Sequence, residues 1–216
     1  RLTPLRDWSE SRVVRVEGTL RGKPAVHYLK WSRRGGASES AIYKLAAQHA
    51  GFPASKAAFL MVDGEEWLLL DRAEGALLAD IVRADAPDAY LTAARRIARF
   101  HMQATAVGWT AQLSGLGTLK GRIESLPISV LEDLRRMMVE GKCSGVNPSL
   151  LMQVETASAQ LWPAFIKAYR CYPDSLIHGD CHYGNLFLTP EGGICLIDWA
   201  SASVAPGLMD LAALVD

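Results

Sequence analysis

Two polar clusters joined by a hairpin constrain the fold more than any other feature of the chain. The first reads His178-Gly179-Asp180-Cys181-His182-Tyr183-Gly184-Asn185, and the second is the Asp198 of Ile197-Asp198-Trp199. Residues 186–189 and 194–197 are short apolar runs on either side of Pro190-Glu191-Gly192-Gly193, a turn sequence. A hairpin over residues 186–197 folds Asp198 back beside Asn185. An isolated Asp or Asn is usually a solvated surface residue. Three of them converging at hairpin spacing mark a site.

The rest of the chain is ordered as strands first and helices after. Residues 12–17 alternate β-branched positions and 24–31 form a second strand candidate. The glycine-bearing turn between them makes the pair an antiparallel hairpin. Residues 2–6 read as a strand before it. Residues 38–50 have helical periodicity, with Ser38 as N-cap and Gly51 as stop. Residues 57–62 and 66–70 are strands around the turn Asp63-Gly64. After Asp71-Arg72-Ala73-Glu74-Gly75 the pattern becomes helical, over 77–82, 90–105, 130–140 and 149–169. Pro148 precedes the last of these, Pro163 is expected to bend it, and the loop 141–148 separates it from the helix before. The expectation is an α+β chain of two lobes: a small antiparallel-sheet lobe over 1–72 and a mostly helical lobe over 73–216, hinged at 71–75. Half of the 216 residues are hydrophobic, enough to bury a substantial core.

Phosphoryl transfer asks three things of a protein. A carboxylate orients the acceptor hydroxyl and takes its proton, oxygen ligands hold Mg²⁺ on the phosphates, and a cation steadies the phosphate oxygens. Asp180 fits the first role. Asn185, five residues on, offers a neutral oxygen and Asp198 an anionic one. That sparse set suits Mg²⁺, which completes its shell with phosphates and waters. Protein kinases have the same spacing, an Asp followed five residues later by Asn, with a second metal-binding Asp further on. The candidate cation is Lys30, on a strand whose one face carries Val26, Tyr28 and Lys30. A lysine in that setting needs an anion to hold it. Glu39, on the next helix, is better placed for this than Glu10 or Glu17.

With these residues the chain resembles the aminoglycoside phosphotransferase and choline kinase-like family, relatives of the protein kinases. HGDCHYGN is similar to that family's HGDxHxxN catalytic loop, and IDW resembles its metal-binding motif. Pro206 to Ala212 (PGLMDLA) resembles the stretch that includes the family's DLA. LLLDRAEG resembles its strand-to-hinge segment, and ARRIARFHMQ its helix ending in Leu-His. The likeness spans essentially the whole chain and is sharpest over residues 176–212.

The resemblance implies a two-lobe protein-kinase-like fold with Asp180 as catalytic base, Asn185 and Asp198 as Mg²⁺ ligands, and Lys30 as a phosphate contact paired with Glu39. It implies that His178, His182 and Asp210 support the catalytic loop. The hinge at Leu70, Asp71, Arg72 and Ala73 would offer backbone groups to the nucleotide base. The donor it implies is ATP or GTP, and the acceptor a small hydroxylated molecule such as an aminoglycoside, amino alcohol or sugar. There are departures. No Gly-rich GxGxxG precedes the first strands, and the phosphate-covering candidate Asp7-Trp8-Ser9-Glu10-Ser11 has no glycine. Tyr183 stands where Pro is common, and Ala200 where an acidic residue is frequent. The chain also ends soon after Asp198, so the C-terminal helices usual in the family are expected to be missing.

Composition excludes other classes. The 23 basic and 23 acidic residues balance, giving no electrostatic reason to expect nucleic acid or an anionic membrane as partner. No apolar run reaches the roughly 18 residues of a membrane span, and the first twelve residues lack the apolar core of a secretory signal. The four cysteines form no CxxC pair and read as reduced thiols of a cytoplasmic protein. Nothing in the sequence sets an oligomeric state. Two other functions compete. A metal-dependent hydrolase would use His178, Asp180, Cys181, His182 and Asp198 as ligands, and leaves Lys30, Glu39 and Asn185 unexplained. A non-catalytic nucleotide-binding module, a pseudokinase, would keep the donor site alone.

Overall fold

Two tight turns build the N-terminal sheet. Arg21 and Gly22 have φ of 52° and 79°, and Asp63 and Gly64 have 52° and 81°. Positive φ at both central residues is the type I′ geometry, whose twist matches that of the strands it joins. The first turn connects β2 (Ser11–Leu20) to β3 (Lys23–Ser32), and the second connects β4 (Ala57–Val62) to β5 (Glu65–Asp71). With β1 (Leu2–Trp8) they form a five-stranded sheet in the order β1-β2-β3-β5-β4, antiparallel throughout.

The computed structural model describes residues 1–8, 11–32, 36–81, 86–113, 116–118, 130–141 and 147–215. Ser9, Glu10, Val82 and residues 142–146 of the expected loop therefore lie outside the described residues. Residues 1–116 and 175–216 form one compact unit and residues 117–174 another.

In the first unit, Lys30 lies opposite Leu68 and Tyr28 opposite Leu70. Residues directly opposite share a face, and Lys30, Leu68 and Leu70 are buried. The other face carries Trp31, 6.2 Å from Trp67 and covered by Arg12. Trp31 is thus a packing residue pointing away from Lys30. Helix α1 (Gly36–Ala46) begins two residues before the expected start, so Ser38 falls inside it, and it ends four residues early. Its Ile42, Tyr43 and Leu45 are buried. The helix expected over 77–82 is instead a two-residue strand, β6 (Ala76–Leu77), followed by a 3₁₀ turn, Leu78–Asp80. The reason is pairing: Ala76 and Leu77 lie opposite Leu188 and Phe187.

Helix α2 (Pro87–Val107) has Pro at its first turn and ends at Gly108, whose φ of 69° is the left-handed cap that glycine favours. The short α3 (Trp109–Gln112) follows. In the second unit, α4 covers residues 130–139 and α5 spans Pro148–Tyr169, running through Pro163. Asn147 caps α5, its side chain accepting from the Leu150 N–H at 2.9 Å. Arg135 pairs with Glu155 and Arg136 with Asp133, all on exposed positions. Back in the first unit, β7 (Asp174–Ile177) pairs with β10 (Ser203–Pro206), and β8 (Leu186–Leu188) and β9 (Ile194–Leu196) extend the sheet begun by β6. Helix α6 (Leu208–Val215) closes the described chain.

The core that supports this region is aromatic. Phe52, Phe100, Trp109 and Trp199 lie with ring centroids between 5.0 and 5.8 Å apart. Trp199 is fully buried and donates its ring N–H to the Leu196 carbonyl at 3.1 Å. Among the described residues no helix is long and apolar enough to cross a membrane.

Candidate active site

The 178–185 loop is held from beneath. Asp210, at the start of α6, is buried, and its two carboxylate oxygens accept the N–H groups of His178 at 2.8 Å and Gly179 at 2.9 Å. His101 of α2 stands 3.3 Å from the same carboxylate. Gly179 has φ of 80°, and a Cβ there would meet the Ser201 carbonyl oxygen at 2.2 Å, so only glycine fits. His178 is buried between two backbone groups. Its Nε2 donates to the Ile197 carbonyl at 2.9 Å, and its Nδ1 accepts from the Asp180 N–H at 3.3 Å. Accepting at Nδ1 requires a neutral ring, and burial lowers the pKa of His178, opposed by the charge of Asp210. His182 caps the turn Tyr183–Asn185, its Nδ1 accepting from the Gly184 N–H at 3.0 Å.

Asp180 leaves this scaffold half exposed, and the Asn185 amide nitrogen donates to its backbone oxygen at 3.0 Å and to its carboxylate at 3.1 Å. Nε2 of His182 lies 3.8 Å from the same carboxylate. With its nitrogen end engaged, Asn185 has its carbonyl oxygen as the end able to ligate a cation. The Ile197 N–H donates to the backbone carbonyl of Asn185 at 3.0 Å, which ties the loop to the far end of the hairpin. The next residue, Asp198, has φ of 64° and ψ of 62°. A non-glycine residue held in that region is strained, and such strain clusters at functional sites.

Lys30 joins the sheet to this loop. Its ammonium donates to Glu39 at 2.8 Å and to Asp198 at 2.7 Å. Burial pushes the Glu39 carboxyl up, and Lys30 only partly offsets this. Burial also pushes Asp198 up, but Lys30, its hydrogen bond and Arg6 outweigh it, so the net shift is downward and Asp198 is ionised at neutral pH. A cleft of about 650 Å³ opens beside these groups. Tyr28, Lys30, Leu70, Asp71, Arg72 and Ala73 line it from the sheet and hinge; Asn185, Phe187, Ile197 and Asp198 line it from the hairpin.

The arrangement brings together every residue expected at the site. Asp180 bonds Asn185, and Lys30 bonds Glu39 and Asp198; Asn185, Lys30 and Asp198 line one cleft, with His178, His182 and Asp210 beneath or beside the loop, and Leu70 to Ala73 at the hinge end of the cleft. Among the described residues no group of three or more His, Cys, Asp or Glu side chains is arranged to hold a metal. Both ring nitrogens of His178 are engaged, and the Cys181 thiol is buried with its pKa pushed well up by that burial.

The profile of the phosphotransferase enzyme family matches residues 1–216. The chain belongs to the phosphotransferase enzyme family. Its fold is that of solved antibiotic phosphotransferases. It is similar to an aminoglycoside phosphotransferase from Streptomyces rimosus, with a TM-score of 0.59 and 18% identity over 99% of this chain and 76% of that one. A macrolide 2'-phosphotransferase from Brachybacterium faecium gives 0.56 and 19%, over 97% and 69%. A spectinomycin phosphotransferase, solved with ADP and spectinomycin, gives 0.64 and 13%, over 98% and 67%. No curated protein matches the chain. Family membership makes the chain a phosphotransferase, the enzyme class expected from its motifs. The phosphotransferase site also contains two groups the sequence reading passed over. Arg6 of β1 reaches within 3.9 Å of Asp198. His101 of α2 stands against Asp210. The Leu-His likeness of its helix was the one available signal.

Proposed function

We propose that this protein is a Mg²⁺-dependent kinase that moves the γ-phosphate of ATP or GTP to a hydroxyl of a small molecule such as an aminoglycoside, amino alcohol or sugar. The observation that carries the reading is the pair Asp180–Asn185 and the group Asp198–Lys30–Glu39, with Asn185, Lys30 and Asp198 lining one cleft that also includes the hinge residues. The lobe 1–72 binds the nucleotide, its base against backbone groups of Leu70 to Ala73. The lobe 73–216 carries the catalytic loop.

The donor set fits Mg²⁺, because the Asn185 carbonyl and the ionised Asp198 carboxylate are hard oxygens with room left for phosphates and water. Bound there, the metal would neutralise charge on the phosphates. The other roles belong to this chain. Lys30, steadied by Glu39, contacts the donor phosphates. Asp180, half exposed, accepts a hydrogen bond from the acceptor hydroxyl and takes its proton as the new P–O bond forms and the bond from the γ-phosphorus to the β-phosphate oxygen breaks, releasing the nucleoside diphosphate. The Asn185 amide keeps the Asp180 carboxylate from turning away. His178, His182 and Asp210 hold the loop that presents both. The protein works in the cytoplasm, with a nucleotide and a small acceptor as partners and neither nucleic acid nor membrane.

Asp180→Asn keeps the shape of the side chain and removes the proton acceptor. Turnover is expected to vanish while Mg²⁺-nucleotide affinity, measured by calorimetry, stays near wild type. An Asp180→Asn variant that turns over its acceptor at the wild-type rate would remove Asp180 from the base role. Wild-type protein that binds the nucleotide yet phosphorylates no acceptor would support the pseudokinase reading instead.

A further inference from the structure

A bulge in β1 turns Arg6 into the cleft. Thr3 lies opposite Arg15 and Pro4 opposite Val14, but the register then skips Leu5, so that Arg6 lies opposite Val13. An unbroken ladder would set Arg6 opposite Arg12, on the face that carries Trp31. One inserted residue moves every later side chain to the other face. Arg6 therefore stands in a row with Val13, Lys30 and Leu68, each opposite the next. Leu5 and Arg6 both line the cleft, and the Arg6 guanidinium is 3.9 Å from Asp198.

The charges there call for a second cation. Lys30 is shared between Glu39 and Asp198, and Asn185, which bonds Asp180, lines the same cleft. A triphosphate entering beside these carboxylates adds several negative charges to a place with one committed ammonium. A glycine-rich loop would meet phosphates with backbone N–H groups, and residues 7–11 contain no glycine. A guanidinium presents donors in a planar fork that matches phosphate oxygens two at a time.

We propose that Arg6 is the second phosphate-binding cation of the donor site, gripping the terminal phosphates of a nucleoside triphosphate beside Lys30. This rests on the phosphotransferase reading above. A rival account makes Arg6 only a latch on Asp198, and the two predict opposite signs. Loss of a phosphate grip weakens triphosphate binding. Loss of a latch frees Asp198 and strengthens it.

Calorimetry with Mg²⁺ and the β,γ-imido analogue of ATP, with the guanosine analogue in parallel, decides between them. Arg6→Gln is expected to weaken the triphosphate analogue about tenfold, the size of one lost charge-assisted hydrogen bond. Affinity for the matching nucleoside monophosphate is expected to stay unchanged. Arg12→Gln, on the opposite face, is expected to match wild type. Arg6→Gln binding the triphosphate analogue as tightly as wild type, or more tightly, overturns the proposal and leaves the kinase reading standing. Wild type that binds neither triphosphate analogue overturns both. Should Arg6→Gln melt early, Arg6→Lys carries the test: it keeps the charge, loses the fork, and must still weaken the triphosphate analogue several-fold.

Discussion

Asp210→Ala tests how the catalytic loop is held. Asp210 is 1% exposed and serves two backbone donors at once, His178 at 2.8 Å and Gly179 at 2.9 Å. Truncation leaves both amides without their acceptor next to a fully buried His178. A buried donor left unpaired costs about 1–3 kcal/mol, so the pair costs about 2–6 kcal/mol. Water entering the vacated volume moves the value toward the low end. Asp210→Asn keeps one acceptor oxygen, so about 1–3 kcal/mol is expected for it. Total domain stability is about 5–15 kcal/mol, so Asp210→Ala removes a large share. Hydrogen exchange is the direct assay. Each 1.4 kcal/mol or so is a factor of ten, so the His178 and Gly179 amides should exchange at least about tenfold faster in Asp210→Ala. Turnover should fall with them, because Asp180 follows directly in the chain. Unchanged protection at these two amides together with unchanged turnover would refute the reasoning.

Two further outcomes are expected. Lys30→Met strands Glu39, which is 1% exposed, and breaking such a buried pair costs about 3–5 kcal/mol in denaturant unfolding; adding Glu39→Gln should recover part of that loss, and equal stability of Lys30→Met and wild type would contradict the pairing. The second concerns pH. The Glu39 pKa is raised and that of Asp198 lowered, so as pH falls the Lys30–Glu39 pair loses its charge first, above the ordinary glutamate value of 4.5. The signs differ for stability: the stabilisation from Asp198 is present above its unfolded pKa and lost as pH falls through the folded one, whereas protonating Glu39 relieves a burial penalty. The acidic limb of kcat should therefore move to lower pH in Glu39→Gln, with a lower plateau, and an unmoved limb would show that Glu39 does not set it.

Local chemistry made much of the fold readable. Asp63-Gly64 forms the turn its residues favour, and the strand over 57–62 has the bounds its pattern suggested. The hairpin from Leu186 to Leu196 brings Asp198 back to the Asn185 end, as its turn residues demanded. What escaped was set by partners distant in sequence. Leu77, Leu78 and Ile81 have a spacing that reads as helix, but the backbone of Ala76 and Leu77 is taken by β8. The pairing of β7 with β10 joins segments too short to show a period. Lys30 was recognised with Glu39, nine residues away, but its bond to Asp198, 168 residues away, leaves no trace in local spacing. Arg6 was missed for a different reason. Alternation along β1 assigns it to the wrong face, and only the bulge at Leu5 corrects this.

The most direct test of phosphotransfer follows the label itself. The protein, Mg²⁺ and γ-³²P-labelled ATP or GTP are mixed with a panel of amino-sugars, amino alcohols and sugars, and the products are separated. Label is expected in an organic phosphate ester of at least one acceptor, with none formed by Asp180→Asn. Label found only in inorganic phosphate, or ester formed equally by Asp180→Asn, would contradict the account.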